Sequence, residues 1–143
     1  MKQITIIRHG DSSFIGNNDH DWSRPLSQKG TNECIELAKY LSQNKMLPEK
    51  IICSDAKRTI ETSNIILEKT GWNPKLLDLD NNLYQANLDF LCELIAEQSD
   101  SIEKIILIGH NPGLSILCSK LSNNSIYLNT GSCFTIEMEN EFW

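Results

Sequence analysis

Apolar residues return along this chain in two alternating periods, one of strands and one of helices. Ile4 to Ile7 is a short β-branched run ended by Arg8-His9-Gly10, the pattern of a buried strand delivering its carboxyl end into a loop. Residues 11–27 are polar and turn-rich (Asp11, Ser12, Ser13, Gly16, Asn17), and a loop of that length inside a small domain is usually functional. Ser27 reads as a helix cap, after which Cys34, Leu37, Ala38 and Leu41 recur at helical spacing and predict a helix over about 28–44. Pro48 closes that connection and Ile51-Ile52-Cys53 forms a second strand. Ser54 or Asp55 caps a second helix, whose inner face is Thr59, Ser63, Ile66 and Leu67 and which stops before Gly71.

Lys75 to Leu79 reads as a weaker strand, and Leu88, Leu91, Cys92 and Ile95 as a third helix. Lys104 to Ile108 is a strongly β-branched fourth strand, broken by Gly109-His110-Asn111-Pro112-Gly113. A fourth helix follows on Leu114, Leu117, Cys118 and Leu121, then a last strand over 133–138. Strands alternating with helices predict an α/β fold, a three-layer α/β/α sandwich with a mostly parallel central sheet. No repeat or linker divides the chain, so residues 1–143 are expected to form one domain.

Charge narrows the partners. A formal net charge of -6 argues against the sequence-independent phosphate attraction of a nucleic-acid coat protein, so an anionic substrate must meet a local positive site. The five cysteines (Cys34, Cys53, Cys92, Cys118, Cys133) contain no C-x-x-C pair and fall mostly in apolar periodic segments, which fits reduced core thiols. The first residues are too short an apolar run for a signal-peptide core and no stretch approaches a membrane span, so a cytoplasmic protein without membrane contact is expected. The abrupt ending at Phe142-Trp143, just after a short strand, leaves open that further carboxyl-terminal residues belong to the natural chain.

In open α/β sheets ligands bind beyond the carboxyl ends of the strands. Two strands end in histidine, at Arg8-His9 and Gly109-His110, and Arg58 follows the second strand closely, so the three places can converge. Ten of the 13 basic residues are lysine and only Arg8, Arg24 and Arg58 are arginine. Arginine placed that sparingly at strand and helix starts points to bidentate recognition of an oxyanion. A phosphoryl group suits the histidines: His9 can attack phosphorus through one nitrogen while the other donates to a backbone carbonyl, Gly10 lets the backbone approach, and the arginines with a protonated His110 spread charge over the equatorial oxygens. That chemistry needs no metal and no cofactor.

Arg8-His9-Gly10 after an amino-terminal hydrophobic strand resembles the signature of the histidine phosphatase superfamily, the phosphoglycerate-mutase-like fold. Arg24-Pro25-Leu26-Ser27-x-x-Gly30 is similar to a segment of its small SixA-type phosphohistidine phosphatases, and Ser54-x-x-x-Arg58-x-x-x-Thr62, Leu83-Tyr84 and Gly109-His110-Asn111-Pro112 are similar to further segments of the superfamily, in the same order. The resemblance implies His9 as the phosphorylated nucleophile, Arg8 and Arg58 as phosphate clamps joined by Arg24, and His110 as the second catalytic histidine, with Gly10 and Asn111 beside the substrate. Two positions depart from the pattern: Glu61 stands where the family carries Gln, and Asn82 where larger members often carry a glutamate proton donor. Asp11 is then a candidate proton donor, with a turn-capping loop carboxylate as the equal alternative.

The expected reaction is removal of phosphate from phosphohistidine on a partner protein at a shallow site, since the chain lacks the long insertions of larger members. Three rivals remain: a small-molecule phosphomonoesterase or mutase, a non-catalytic phosphate-binding regulator, and, weakest, a metal hydrolase built on His20 with Asp19 and Asp21. Nucleotide-binding glycine patterns are absent.

Overall fold

A computed structural model describes residues 1–14 and 20–143. Five strands, β1 (Lys2–Arg8), β2 (Lys50–Ser54), β3 (Leu77–Asp80), β4 (Lys104–Gly109) and β5 (Cys133–Met138), alternate with four helices, α1 (Gln28–Gln43), α2 (Lys57–Thr70), α3 (Leu88–Ala96) and α4 (Gly113–Ser122). The sheet order is β3-β2-β4-β1-β5; the first four strands run parallel and β5 pairs antiparallel with β1. This is the expected mostly parallel sheet, buried on both faces.

Period-two alternation sorts the strand residues between two apolar layers. Ile4, Ile6, Ile52, Ile105 and Leu107 pack with Leu91 and Ile95 of α3 and Leu114, Leu117 and Cys118 of α4. Ile7, Ile51, Cys53, Ile106 and Ile108 pack on the other face with Leu37, Ala38 and Leu41 of α1 and Ile66 of α2. All five cysteines are free, and Cys34, Cys53 and Cys118 are fully buried. At the amino end of the sheet, Lys2 Nζ donates to the Asp100 and Ile102 carbonyls at 2.5 and 2.8 Å, and Trp143 Nε1 also donates to Ile102 O at 2.8 Å.

Two expectations are corrected. The segment beginning at Lys75 is not all strand: Asn73 accepts from the Lys75 N–H and Pro74–Leu76 make a 3-10 turn, so β3 starts only at Leu77. Neither Ser54 nor Asp55 is the cap of α2; that position is Ala56, without a side-chain cap. Ser54 instead belongs to the sheet end, where its Oγ accepts the Ala56 N–H and meets His110. The polar 11–27 segment is pinned by a bridge between Ser12 and Leu26 and carries a 3-10 turn at Asp21–Ser23, while the part of that expected loop at 15–19 lies outside the described residues.

Ser27 caps α1 as expected, accepting from the Gly30 N–H at 3.0 Å. Gly30 is where α1 meets the chain leaving β1: a Cβ there would lie 2.0 Å from Asp11 O and 2.8 Å from Asp11 N, and one on Gly10 would lie 2.7 Å from Gly30 O. Backbone packs on backbone, so neither contact can be relieved by a rotamer change. Gly30→Ala is therefore expected to destabilise the fold by at least the roughly 1–3 kcal/mol typical of overpacking, read as a lower urea midpoint. A variant as stable as the parent would contradict this packing.

Candidate active site

β1 and β4 are sheet neighbours, and their register pairs Arg8 with Gly109, so the next residues on each, His9 and His110, emerge side by side. The His9 N–H donates to Gly109 O at 3.2 Å, and the two rings stand 5.2 Å apart between centroids, tilted by 54°. Both histidines are 7% exposed, so the site is recessed at its centre where a shallow one was expected. Arg58, in the first turn of α2, brings its Nε within 3.3 Å of His9 Nε2. The convergence expected of the three segments is present.

Each arginine is anchored differently. Arg8 Nη1 donates to Leu128 O at 3.0 Å, while its Nε is buried with no partner among the described residues. Arg24 lies over the Phe14 ring at 3.7 Å and has all three nitrogens engaged: Nε to Ser13 O, Nη2 to Ser12 O and Nη1 to Asp21 Oδ1 at 2.9 Å. Arg58 Nη1 donates to Asp21 O at 2.6 Å and Nη2 to Asp21 Oδ2 at 3.1 Å.

The hydrogen bond to Gly10 settles the His9 tautomer. A carbonyl can only accept, so at 2.6 Å from Gly10 O the His9 Nδ1 carries the proton, and Nε2 keeps its lone pair facing Arg58. Burial, with smaller contributions from Arg58, Arg8 and Arg24, pulls His9 down to about 4 against the raising effect of the Gly10 bond. Burial, then Arg58 and His9, pull His110 down to about 3. Burial beside a guanidinium therefore favours the neutral imidazole at His110, whereas the expected protonated form is one that faces a phosphoryl group. His110 Nε2 lies 2.8 Å from Ser54 Oγ, leaving a buried Nδ1 with no partner among the described residues.

Several expected substrate contacts turn out to be taken by the protein itself. Gly10 donates its N–H to Thr62 Oγ1 at 3.1 Å, and its missing side chain serves the contact with Gly30 and Cys34, so its small size admits α1. Asn111 donates to Leu128 O at 2.9 Å and accepts from both the N–H and the hydroxyl of Ser115 at 3.1 and 2.8 Å, tying the start of α4 to the segment that holds Arg8. Asp11 accepts from Ser27 Oγ at 2.6 Å at the start of α1, the capping alternative to a proton donor. The metal reading fails at Asp21, whose two carboxylate oxygens receive Arg24 and Arg58; Asp19 lies outside the described residues.

Four residues at the site escaped the sequence reading of its chemistry. Asp21 was readable as an opposite charge three residues before Arg24, and Tyr84 as the aromatic of a matched dipeptide. Ser54 stands at a strand's carboxyl end, the place already singled out for histidines, and Thr62 one helical turn after Arg58. Tyr84 donates its phenol hydrogen to Asp21 Oδ2 and meets the His110 ring edge-on at 5.4 Å. That bond, followed by those from Arg24 and Arg58, holds the Asp21 carboxyl well below the usual range, and burial with the Asp21 bond raises the Tyr84 phenol. Beside His110 opens a hollow of about 370 Å³, lined in part by Ala86, Leu88, Pro112 and Ile116.

The model of the histidine phosphatase superfamily (branch 1) matches residues 4–89. An uncharacterized chloroplastic protein of Arabidopsis thaliana is 28% identical over 150 residues, covering 99% of this chain and 69% of that protein. Among solved structures, SixA from Agrobacterium tumefaciens superposes with a TM-score of 0.85 over 94% of this chain and 90% of its own, at 18% identity. The protein histidine phosphatase SixA complexed with tungstate superposes with a TM-score of 0.84 over 95% of this chain and 88% of its own, at 21% identity. These two superpositions establish the phosphoglycerate-mutase-like fold. The matched family segment covers more than half of the chain and contains most of β1 with Arg8, then His9, Arg24 with Gly30, Arg58 and Tyr84; the chain belongs to the histidine phosphatase superfamily.

Proposed function

We propose that this protein is a phosphatase that carries the phosphoryl group on His9 Nε2 and takes it from phosphohistidine on a partner protein. The observation that carries the reading is the pairing of a His9 Nε2 lone pair, fixed by the Nδ1 bond to Gly10 O, with the Arg58 Nε hydrogen 3.3 Å away. A phosphoryl group entering in front of Nε2 takes over the Arg58 donor. It also finds the Nε of Arg8 and the Nδ1 of His110, neither of which has a partner among the described residues. Positioning and electrostatic stabilisation are the main demands of phosphoryl transfer, and these groups supply both without reorganising.

In the first step the Nε2 lone pair forms a bond to phosphorus as the bond to the leaving group breaks. In the second a water oxygen attacks phosphorus, the P–Nε2 bond breaks, and the displaced pair returns to the imidazole. The leaving group needs a proton. Asp21, the carboxylate at this clamp, is held ionised by Tyr84, Arg24 and Arg58, which favours a leaving group that brings its own proton. A phosphoramidate nitrogen can be protonated before its bond to phosphorus breaks; an alkyl ester oxygen is far less basic. The hollow beside His110 favours a second reading, a small phosphate ester whose carbon skeleton seats there.

Turnover of a phosphohistidine-bearing carrier protein against alkyl and aryl phosphate esters separates the two readings. The carrier is expected to have the higher kcat/KM, with the rate unchanged by a chelator; preference for an alkyl ester would favour the second. Arg58→Ala is expected to lower kcat by about 10² to 10³, by analogy with the loss of one oxyanion donor; a loss under threefold would remove Arg58 from the transition state. With His9 at about 4, the acid limb of kcat/KM for the free enzyme is expected near pH 4 and not near 6.5. The stability sign agrees: both histidines take up protons in the unfolded chain at higher pH than in the native one. Stability is thus complete above about 6.5 and is lost as pH falls toward 4. A melting temperature flat over that window would contradict the buried neutral pair.

A further inference from the structure

We infer that Asp21 is a positioning residue for the phosphoryl clamp: its carboxylate and backbone carbonyl turn Arg58 so that the other edge of the guanidinium faces His9, and hold Arg24 in the same frame. The inference rests on the phosphoryl-transfer reading, because it concerns how that reading's clamp is set.

A guanidinium offers two bidentate edges, one formed by Nη1 and Nη2, the other by Nε and Nη2. Asp21 takes the first edge of Arg58: Nη1 donates to its backbone oxygen at 2.6 Å and Nη2 to Oδ2 at 3.1 Å. The group is planar, so fixing one edge fixes the direction of the other. The Nε hydrogen accordingly points at His9 Nε2, 3.3 Å away, and the second Nη2 hydrogen points to the same side. Meanwhile Oδ1 receives Arg24 Nη1 at 2.9 Å and Oδ2 receives the Tyr84 phenol. One side chain therefore sets two arginines and an aromatic ring relative to one another.

Competing roles fit the geometry less well. An internal anion standing in for phosphate would sit on the edge that faces His9, whereas Asp21 sits on the edge that faces away. A proton donor would need a free carboxyl hydrogen, and both oxygens are occupied by donors. The side chain is also 44% exposed, so its ion pairs add little to stability, and orientation is the effect to look for. Charge agrees: three arginines, Asp21 and two neutral imidazoles leave two positive charges, the amount that one phosphoryl dianion neutralises.

Tungstate and inorganic phosphate binding by calorimetry, with kcat and KM on p-nitrophenyl phosphate and on a phosphohistidine carrier, tests the role in the parent, Asp21→Asn and Asp21→Glu. Asp21→Asn is expected to bind both oxyanions about tenfold or more weakly, the scale of one hydrogen bond to a charged group. Its kcat/KM should fall by a similar factor on both substrates, with an unchanged melting temperature and a partial return in Asp21→Glu. The Arg58 Nε–Hε signal in nitrogen-edited NMR should be slow to exchange in the parent and averaged in Asp21→Asn, and in Asp21→Glu it gives a readout even if the Asn variant folds poorly. Unchanged or tighter oxyanion binding in Asp21→Asn overturns the role, and so does a loss confined to substrates with poor leaving groups, which would mark a proton donor. A parent protein that binds neither oxyanion overturns the clamp itself, and this inference with it.

Discussion

The guanidinium of Arg58 lies between an imidazole that must stay uncharged and a carboxylate that must stay charged, and one planar cation satisfies both through different edges. The arrangement depends on α2 starting at the carboxyl end of β2, which brings Arg58 to the end of β1 across an intervening β4. It also depends on burial. A histidine left in water beside a guanidinium would still take a proton near neutral pH, whereas one this deep does not.

Much of the surrounding sequence keeps that arrangement in place without touching a substrate. Gly10 and Gly30 let the chain after His9 lie against the first turn of α1, and Ser27 closes that turn. Asn111 and Ser115 hold the start of α4 to Leu128, the residue whose carbonyl receives Arg8. Gly131 donates its N–H to the carbonyls of Arg8 and His9 at 3.1 and 2.9 Å, so the segment before β5 fixes the backbone of His9. Motif positions that invite a chemical reading at the level of sequence are thus largely packing positions, and the proposed chemistry is concentrated in the histidines, the arginines and Asp21.

The fold was legible because its strands are continuous β-branched runs and its helices carry clear apolar stripes; β4 and α1 are examples. β3 was less so, since its apolar and acidic residues alternate at the sheet edge and the preceding turn is set by Asn73 and Pro74. The convergence of His9, His110 and Arg58 followed from a rule about strand ends. Asp21 did not follow, because a polar loop has no periodicity from which to infer where its side chains point, and its partner Tyr84 is 63 residues away. The lowered pKa of His110 was not legible for a related reason: depth of burial, its largest cause, is a property of the packed sheet and both helical layers.

The proposed carrier of the phosphoryl group is His9 Nε2. Rapid acid-free quenching of a reaction with labelled phosphohistidine carrier, followed by mass spectrometry and phosphorus NMR of the protein, measures this. An acid-labile, alkali-stable phosphate on the Nε2 nitrogen of His9, absent from His9→Ala, is the predicted result. Label on another side chain, or full turnover by His9→Ala, would contradict it.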